Sequence, residues 1–208
     1  VLNATPFAQQ PRDGYANNSD WEALDLEDLA VDFIPRTNYR RALPLADFRA
    51  RQVQWDGAPY SAFVREAHRE FVNPGHVRTL RSCLLPAGSP HLNTVNSIML
   101  PTNRETALLT GLLSSLPYDY LIKVFGATHL TQSVTDSVPL PKCDGPAGVF
   151  LLHRVLRLNC LTQAFSELWA ELFDDEWCKD SFVAGLGMSE LARVSRVWSP
   201  EIPLRHDL

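Results

Sequence analysis

HVRTLRSCLLPAGSPHLNTVNSIMLP, His76–Pro101, carries two candidate strands and the turn between them. Val77, Thr79, Arg81 and Cys83 alternate along the first half, the two-residue period of a strand. Leu92–Pro101 reads as a second strand, and the Pro-Ala-Gly-Ser-Pro loop between them suggests an antiparallel pair. Upstream, Asn73-Pro74-Gly75 is a turn signal. SAFVREAHREFV (Ser61–Val72) then reads as a short helix, with Phe63, Ala67 and Phe71 on one face and Arg65 and Arg69 one turn apart on another.

Further out, the pattern is helical. In Asn103–Gly126, Leu108, Leu112, Leu116 and Tyr120 are spaced by four, Pro117 kinks or splits the run, and Gly126 is a natural stop. Ala127–Pro141 is polar and then extended. Val149–Asp175 predicts one helix of six or seven turns, with Leu158, Leu161, Phe165, Leu168 and Leu172 in period. At the other end, Asp20–Ile34 predicts a short acidic helix capped by Asp20 and stopped by Pro35.

The chain has 208 residues, 45% hydrophobic and 21% charged, an ordinary globular composition. Its four cysteines (Cys83, Cys143, Cys160 and Cys178) form no CxxC pair and match no zinc spacing. Scattered thiols suit a reducing cytoplasm. No run of about 18 uncharged apolar residues could span a membrane, and the start lacks the basic-then-apolar order of a signal peptide. With no initiator Met and no closing element, the sequence reads as an excised or processed piece.

Net charge is -5, unevenly spread: residues 1–34 carry -6, 35–82 carry +5, 83–164 carry +1 and 165–208 carry -5. The middle block is a candidate phosphate-facing surface. All nine of its bases are Arg, the residue suited to bidentate contact with phosphate and guanine. A solvated, salt-bridged surface is the alternative reading of the same charges.

Catalytic motifs are missing. There is no Gly-rich loop for a methionine-derived cofactor and no Asn-Pro-Pro-aromatic segment; Asn73-Pro74-Gly75 comes nearest. The acidic residues and the three lysines, Lys123, Lys142 and Lys179, do not form the acid-acid-lysine pattern of a metal-dependent nuclease. Neither a Gly-x-Ser-x-Gly elbow nor a P-loop is present.

Four segments, Ile34–Ala42, Tyr60–Ile98, Leu108–Leu130 and His153–Phe173, together resemble the C-terminal target-recognition region of large bacterial adenine-N6 DNA methyltransferases. These are the fused type IIG restriction–modification enzymes and related phage-defence methylases. The similarity covers most of residues 34–200. LLSSLPYDYLIKVFGATHLTQSVTDSVPLP (Leu112–Pro141) also resembles the repeating core of type I specificity subunits. The resemblance implies an α+β fold, with a twisted, mostly antiparallel sheet flanked by helices and a long C-terminal helix. With the charge blocks and the element pattern, the chain divides into an acidic lead-in over 1–34, a target-recognition core over 35–145, and a long helix with an extended tail over 146–208. The resemblance further implies sequence-specific recognition of double-stranded DNA, with no catalytic residue, metal or cofactor in this piece. S-adenosylmethionine, and magnesium if the parent also cleaves, would serve the methyltransferase domain of the same parent chain. A docking module and a cryptic hydrolase are the rival readings.

Recognition needs cations for phosphates and polar side chains for base edges. Arg36, Arg40, Arg41, Arg65, Arg69, Arg78, Arg81 and Lys123 supply charge. Two polar loops supply readers: Ser89, His91, Asn93 and Asn96 in one, Thr128, His129, Thr131 and Gln132 in the other. The competing assignments are local: Arg78 paired with Glu66 or Glu70, His129 capping a helix, and Thr131 and Gln132 closing a turn. These side chains make a DNA surface only if the Arg block and both loops meet on one concave face.

Overall fold

The computed structural model describes residues 9–14, 16–17, 20–34, 41–91, 94–179 and 194–205. In chain order the elements are β1 (Gln9–Pro11), β2 (Trp21–Ala23), α1 (Leu45–Ala50), β3 (Gln54–Trp55), β4 (Ala58–Pro59), β5 (Arg65–Arg69), β6 (Ser82–Leu85) and β7 (Val95–Ile98). The helices α2 (Asn103–Leu113), α3 (Leu116–Phe125), α4 (Gln132–Asp136), α5 (Pro146–Asn159) and α6 (Ser166–Leu172) follow. The fold is α+β, and every strand pairing is antiparallel.

The segment expected to be a helix, Ser61–Val72, contains instead the middle strand of the main sheet, ordered β6-β5-β7. The two strands expected to pair with each other both pair with β5 (Ala67 stands opposite Cys83 on one side and Ser97 on the other). Burial explains the difference: Arg65, Glu66, Ala67 and His68 are all buried, so no polar face is left for water. Ala67 packs with Cys83, Leu85 and Val95 on one face. Leu84 joins Ala107 and Leu108 of α2 on the other. The first strand is also shorter than its alternation suggests. Asp119 Oδ1 accepts the backbone N–H groups of Thr79 and Leu80, both at 2.7 Å, and holds that stretch against α3.

The acidic helix expected at Asp20–Ile34 is absent. Trp21–Ala23 pairs with Gln9–Pro11. Asp20 Oδ2 accepts the N–H groups of Ala16 and Asn17 at 2.9 Å each, closing the hairpin where a helix cap was expected. Those two bonds hold its carboxyl below the usual carboxylate range.

Pro117 and Gly126 act as their chemistry dictates. α2 starts with a reciprocal Thr102–Glu105 capping box, and Pro117 lies in the first turn of a separate α3. Gly126 ends α3 at φ 65°, which glycine adopts without strain. The single helix expected over Val149–Asp175 is two helices. α5 stops where Asn159 Oδ1 accepts the Leu84 N–H at 2.9 Å, and a 3₁₀ turn at Gln163–Phe165 leads into α6.

The break lets α5 and α6 wrap one core with Trp169, Trp177 and Trp198. Each indole N–H finds a carbonyl, of Ser195, Val149 and Cys160 respectively, as a buried indole requires. The first and last of the expected segments are joined by direct contacts, as the middle and last are by the Leu84–Asn159 bond. Leu204 N–H donates to Arg157 O, Gln163 N–H donates to Val31 O, and the Arg205 guanidinium reaches the carbonyls of Glu27, Leu29 and Leu161.

α2 and α5 pack closely at Gly111, where a Cβ would stand 2.2 Å from Val155 Cγ2. Val155 is β-branched and stiff within its helix. Gly111→Ala is therefore expected to lower stability by about 1–2 kcal/mol, overpacking outweighing the gain in helix propensity. Urea unfolding of the two proteins measures it; an Ala variant of equal or higher stability would refute the tight crossing.

Candidate binding cleft along an open sheet edge

β7 lies at one edge of its sheet. Glu70 N–H donates to Thr94 O, so alternation of the antiparallel ladder turns the backbone groups of Asn96 and Ile98 toward β5. Those of Val95, Ser97 and Met99 face away. Along this open edge runs a cleft of about 650 Å³. Val53 and Trp55 of the β3–β4 hairpin form one wall, and Leu130, Gln132, Thr135 and Asp136 form another. The floor is Asn96 to Met99 with Tyr60, Arg65, His68 and His91.

Two buried basic side chains line this floor. Arg65 is 1% exposed; its Nε donates to Phe63 O at 3.2 Å, Nη2 donates to Ser89 O, and Nη1 has no partner. The guanidinium lies 4.7 Å from the centre of the Tyr60 ring, a cation–π contact. Burial lowers its pKa, with Tyr60 opposing. His68 Nδ1 meets both Glu66 oxygens, at 3.0 and 3.1 Å, while its Nε2 has no partner. Burial disfavours the imidazolium, but the Glu66 charge and hydrogen bond outweigh it and raise the His68 pKa. Ser82 Oγ donates to Glu66 Oε1 at 2.7 Å and completes this buried network.

The sequence-derived candidates divide into groups. Arg36, Arg40 and Asn93 lie outside the described residues. Three cations are not free on the surface for the phosphates of a duplex. Arg65 is buried beneath the cleft. Arg78 donates to Ser114 O at 2.5 Å and stands 3.9 Å from Asp119, not beside Glu66 or Glu70. Lys123 donates to Val77 O at 2.7 Å and stands 3.4 Å from Asp119. Arg41 is exposed and donates to Leu43 O.

Arg69 and Arg81 are different. Arg81 follows the strand register one step past the His68–Ser82 pair, which sets it opposite Arg69. Burial lowers the Arg69 pKa, and the Arg81 charge lowers it further. Neither guanidinium has an ion pair or hydrogen bond among the described residues.

Both polar loops reach the cleft. His91 Nε2 is 2.7 Å from Ser97 Oγ, and Asn96 Nδ2 donates to Leu130 O at 2.8 Å. Gln132 lines the opposite wall. Beside it, exposed His129 packs on Phe71 at 4.6 Å and lies 3.7 Å from Glu70, rather than capping α3. Thr128 is exposed, its carbonyl taken by Val72 N–H. Thr131 Oγ1 lies 2.9 Å from Ser133 Oγ at the start of α4. Sequence reasoning missed Trp55, Tyr60, Glu66, His68 and Asp136. The pairing of Glu66 with His68 is the signal that was available: two charges two residues apart share a face only in a strand.

Among the described residues, no group of three or more His, Cys, Asp or Glu gathers to hold a metal ion. No helix among them is long and apolar enough to cross a membrane. All four cysteines are free thiols; burial raises the pKa of Cys83 and of Cys160. No family model, curated protein or solved structure matches the chain.

Two predictions follow from the buried charges. Asp119→Ala strands the N–H groups of Thr79 and Leu80 and is expected to cost about 3 kcal/mol in urea unfolding; a cost below about 1 kcal/mol would contradict the anchoring role. The raised His68 pKa gives a stabilisation that is full below the ordinary histidine value and is lost as pH rises through the folded-state value. Glu66→Gln should therefore cost about 3 kcal/mol at acidic pH and less at alkaline pH. A difference between the two proteins that does not change with pH would show that the pair is not ionised.

Proposed function

We propose that this chain is a non-catalytic module for sequence-specific recognition of double-stranded DNA, serving an adenine-N6 methyltransferase. The observation that carries the reading is convergence: His91, Asn96 of β7 and Gln132 at the start of α4, three residues after His129, line one cleft, while unpaired Arg69 follows His68 in β5. Exposed His129, Thr131 and Gln132 offer donors and acceptors to base edges. Arg69 and Arg81 offer two uncompensated charges to phosphates, and exposed Arg41, Arg49 and Arg51 add to the field. Methyl transfer would belong to the methyltransferase domain of the parent chain, with S-adenosylmethionine there, and with magnesium if the parent also cleaves. A cytoplasmic setting fits both that role and the free thiols.

A second reading draws on α3. Leu116, Tyr120 and Val124 form an i, i+4, i+8 stripe and are 70%, 69% and 62% exposed. Such a stripe suits docking against the methyltransferase domain, and a module of this kind needs both surfaces.

The test is a duplex-DNA titration of the full chain across a salt series. Arg69→Ala with Arg81→Ala is expected to weaken binding and to lower the salt slope by about two, one phosphate per Arg. An unchanged slope, or no binding by the parent chain at low salt, would defeat the DNA reading.

A further inference from the structure

A buried guanidinium without a carboxylate is costly, because its charge is desolvated and uncompensated. Arg65 is in that position. It satisfies two nitrogens with neutral carbonyls, lines the cleft floor with a buried Nη1 that has no hydrogen-bond partner, and makes no ion pair among the described residues. Glu66 cannot help, since alternation points it to the opposite face, where His68 and Ser82 hold it. The acid that lines the cleft, Asp136, is exposed on the far wall. An anion placed against Nη1 would supply both the missing acceptor and the missing charge.

The remainder of the cleft limits what carries that anion. Trp55 is 54% exposed at its wall, a free aromatic face of the kind on which a flat ring stacks. On the open edge of β7, the N–H and C=O of Ser97 present a donor and an acceptor side by side. The edge of a nucleobase offers the matching pair. At about 650 Å³ the space suits one small ligand and excludes a duplex.

We propose that this cleft is a nucleoside monophosphate site. Arg65 receives the phosphate, Trp55 stacks on the base, and the free edge of β7 reads the base edge. The site shares its border with the duplex surface proposed above but uses neither Arg69 nor Arg81.

Calorimetry and tryptophan fluorescence with adenosine 5′-monophosphate on the full chain test it. The nucleotide is expected to bind at least about tenfold more tightly than adenosine or inorganic phosphate alone. Arg65→Met should abolish binding. Because removal of a buried Arg can unfold the chain, Trp55→Ala, at an exposed position, is the second variant. It is expected to keep the thermal midpoint and to lose about tenfold in affinity. Asp136→Asn, which removes a facing negative charge, should tighten binding. A short oligonucleotide with and without a 5′ phosphate distinguishes a DNA end from a free nucleotide as the source of the same groups. Absence of binding at about 5 mM nucleotide, or equal binding by wild type and Trp55→Ala, would overturn the site. A chain that binds the nucleotide but no duplex leaves this site standing and removes the DNA surface; the reverse result does the opposite.

Discussion

Three ionisable residues within four positions of one strand, Arg65, Glu66 and His68, are at most 3% exposed. Withdrawing such charges from water costs several kcal/mol each unless close partners replace the solvent. The partners divide by strand alternation. On one face Glu66 is shared by His68 and Ser82, and α2 covers the pair. On the other face Arg65 draws in the Phe63 and Ser89 carbonyls and the Tyr60 ring. The loop after β6 is thereby fixed: Gly88 N–H donates to Ser61 O, and His91 meets Tyr60 edge-on at 5.6 Å. The shape of the cleft is thus a consequence of where the middle strand needed acceptors.

The helical half supplies what a small sheet cannot. Strands of four or five residues bury little apolar surface, so most stabilisation must come from the cluster built by α2, α5, α6 and the chain around Trp198. Asn159 is one of the polar side chains that couple the two halves. Asn159 closes its own helix by donating to Val155 O, and it receives the Leu84 N–H from β6. That single residue stops α5 and fastens the helix end to the sheet.

Much of the helical architecture was legible because its signals are local. The Thr102–Glu105 box, Pro117 and Gly126 act through covalent geometry and neighbouring N–H groups, whatever surrounds them. The main sheet was not legible for the opposite reason. Arg65-Glu66-Ala67-His68-Arg69 has almost no hydrophobic period, and flanking Phe63 and Phe71 imitate a helix face. Only partners distant in sequence, Ser89 and Ser82 among them, make burial of that run tolerable. The break at Asn159 was hidden likewise, since its cause is an N–H from β6. The polar loops were found from composition, but the cleft wall at Trp55 was not, because its neighbours in space are remote in sequence.

The same distinction governs the charge argument. Summed along the chain, the acidic ends outweigh the Arg-rich middle. Among the described residues, the ion pairs of the middle segment are His68 with Glu66, Arg78 with Asp119 and Glu70 with His129, and Arg205 in the tail spends donors on backbone carbonyls. Exposed charges separated by more than about 10 Å are screened from one another at 0.1 M salt. Arg69 and Arg81 stand opposite each other with no ion pair among the described residues, although the chain carries a net charge of -5. Net charge measures how the whole molecule is steered from afar; unpaired guanidinium groups at one end of a sheet determine what it can hold once close.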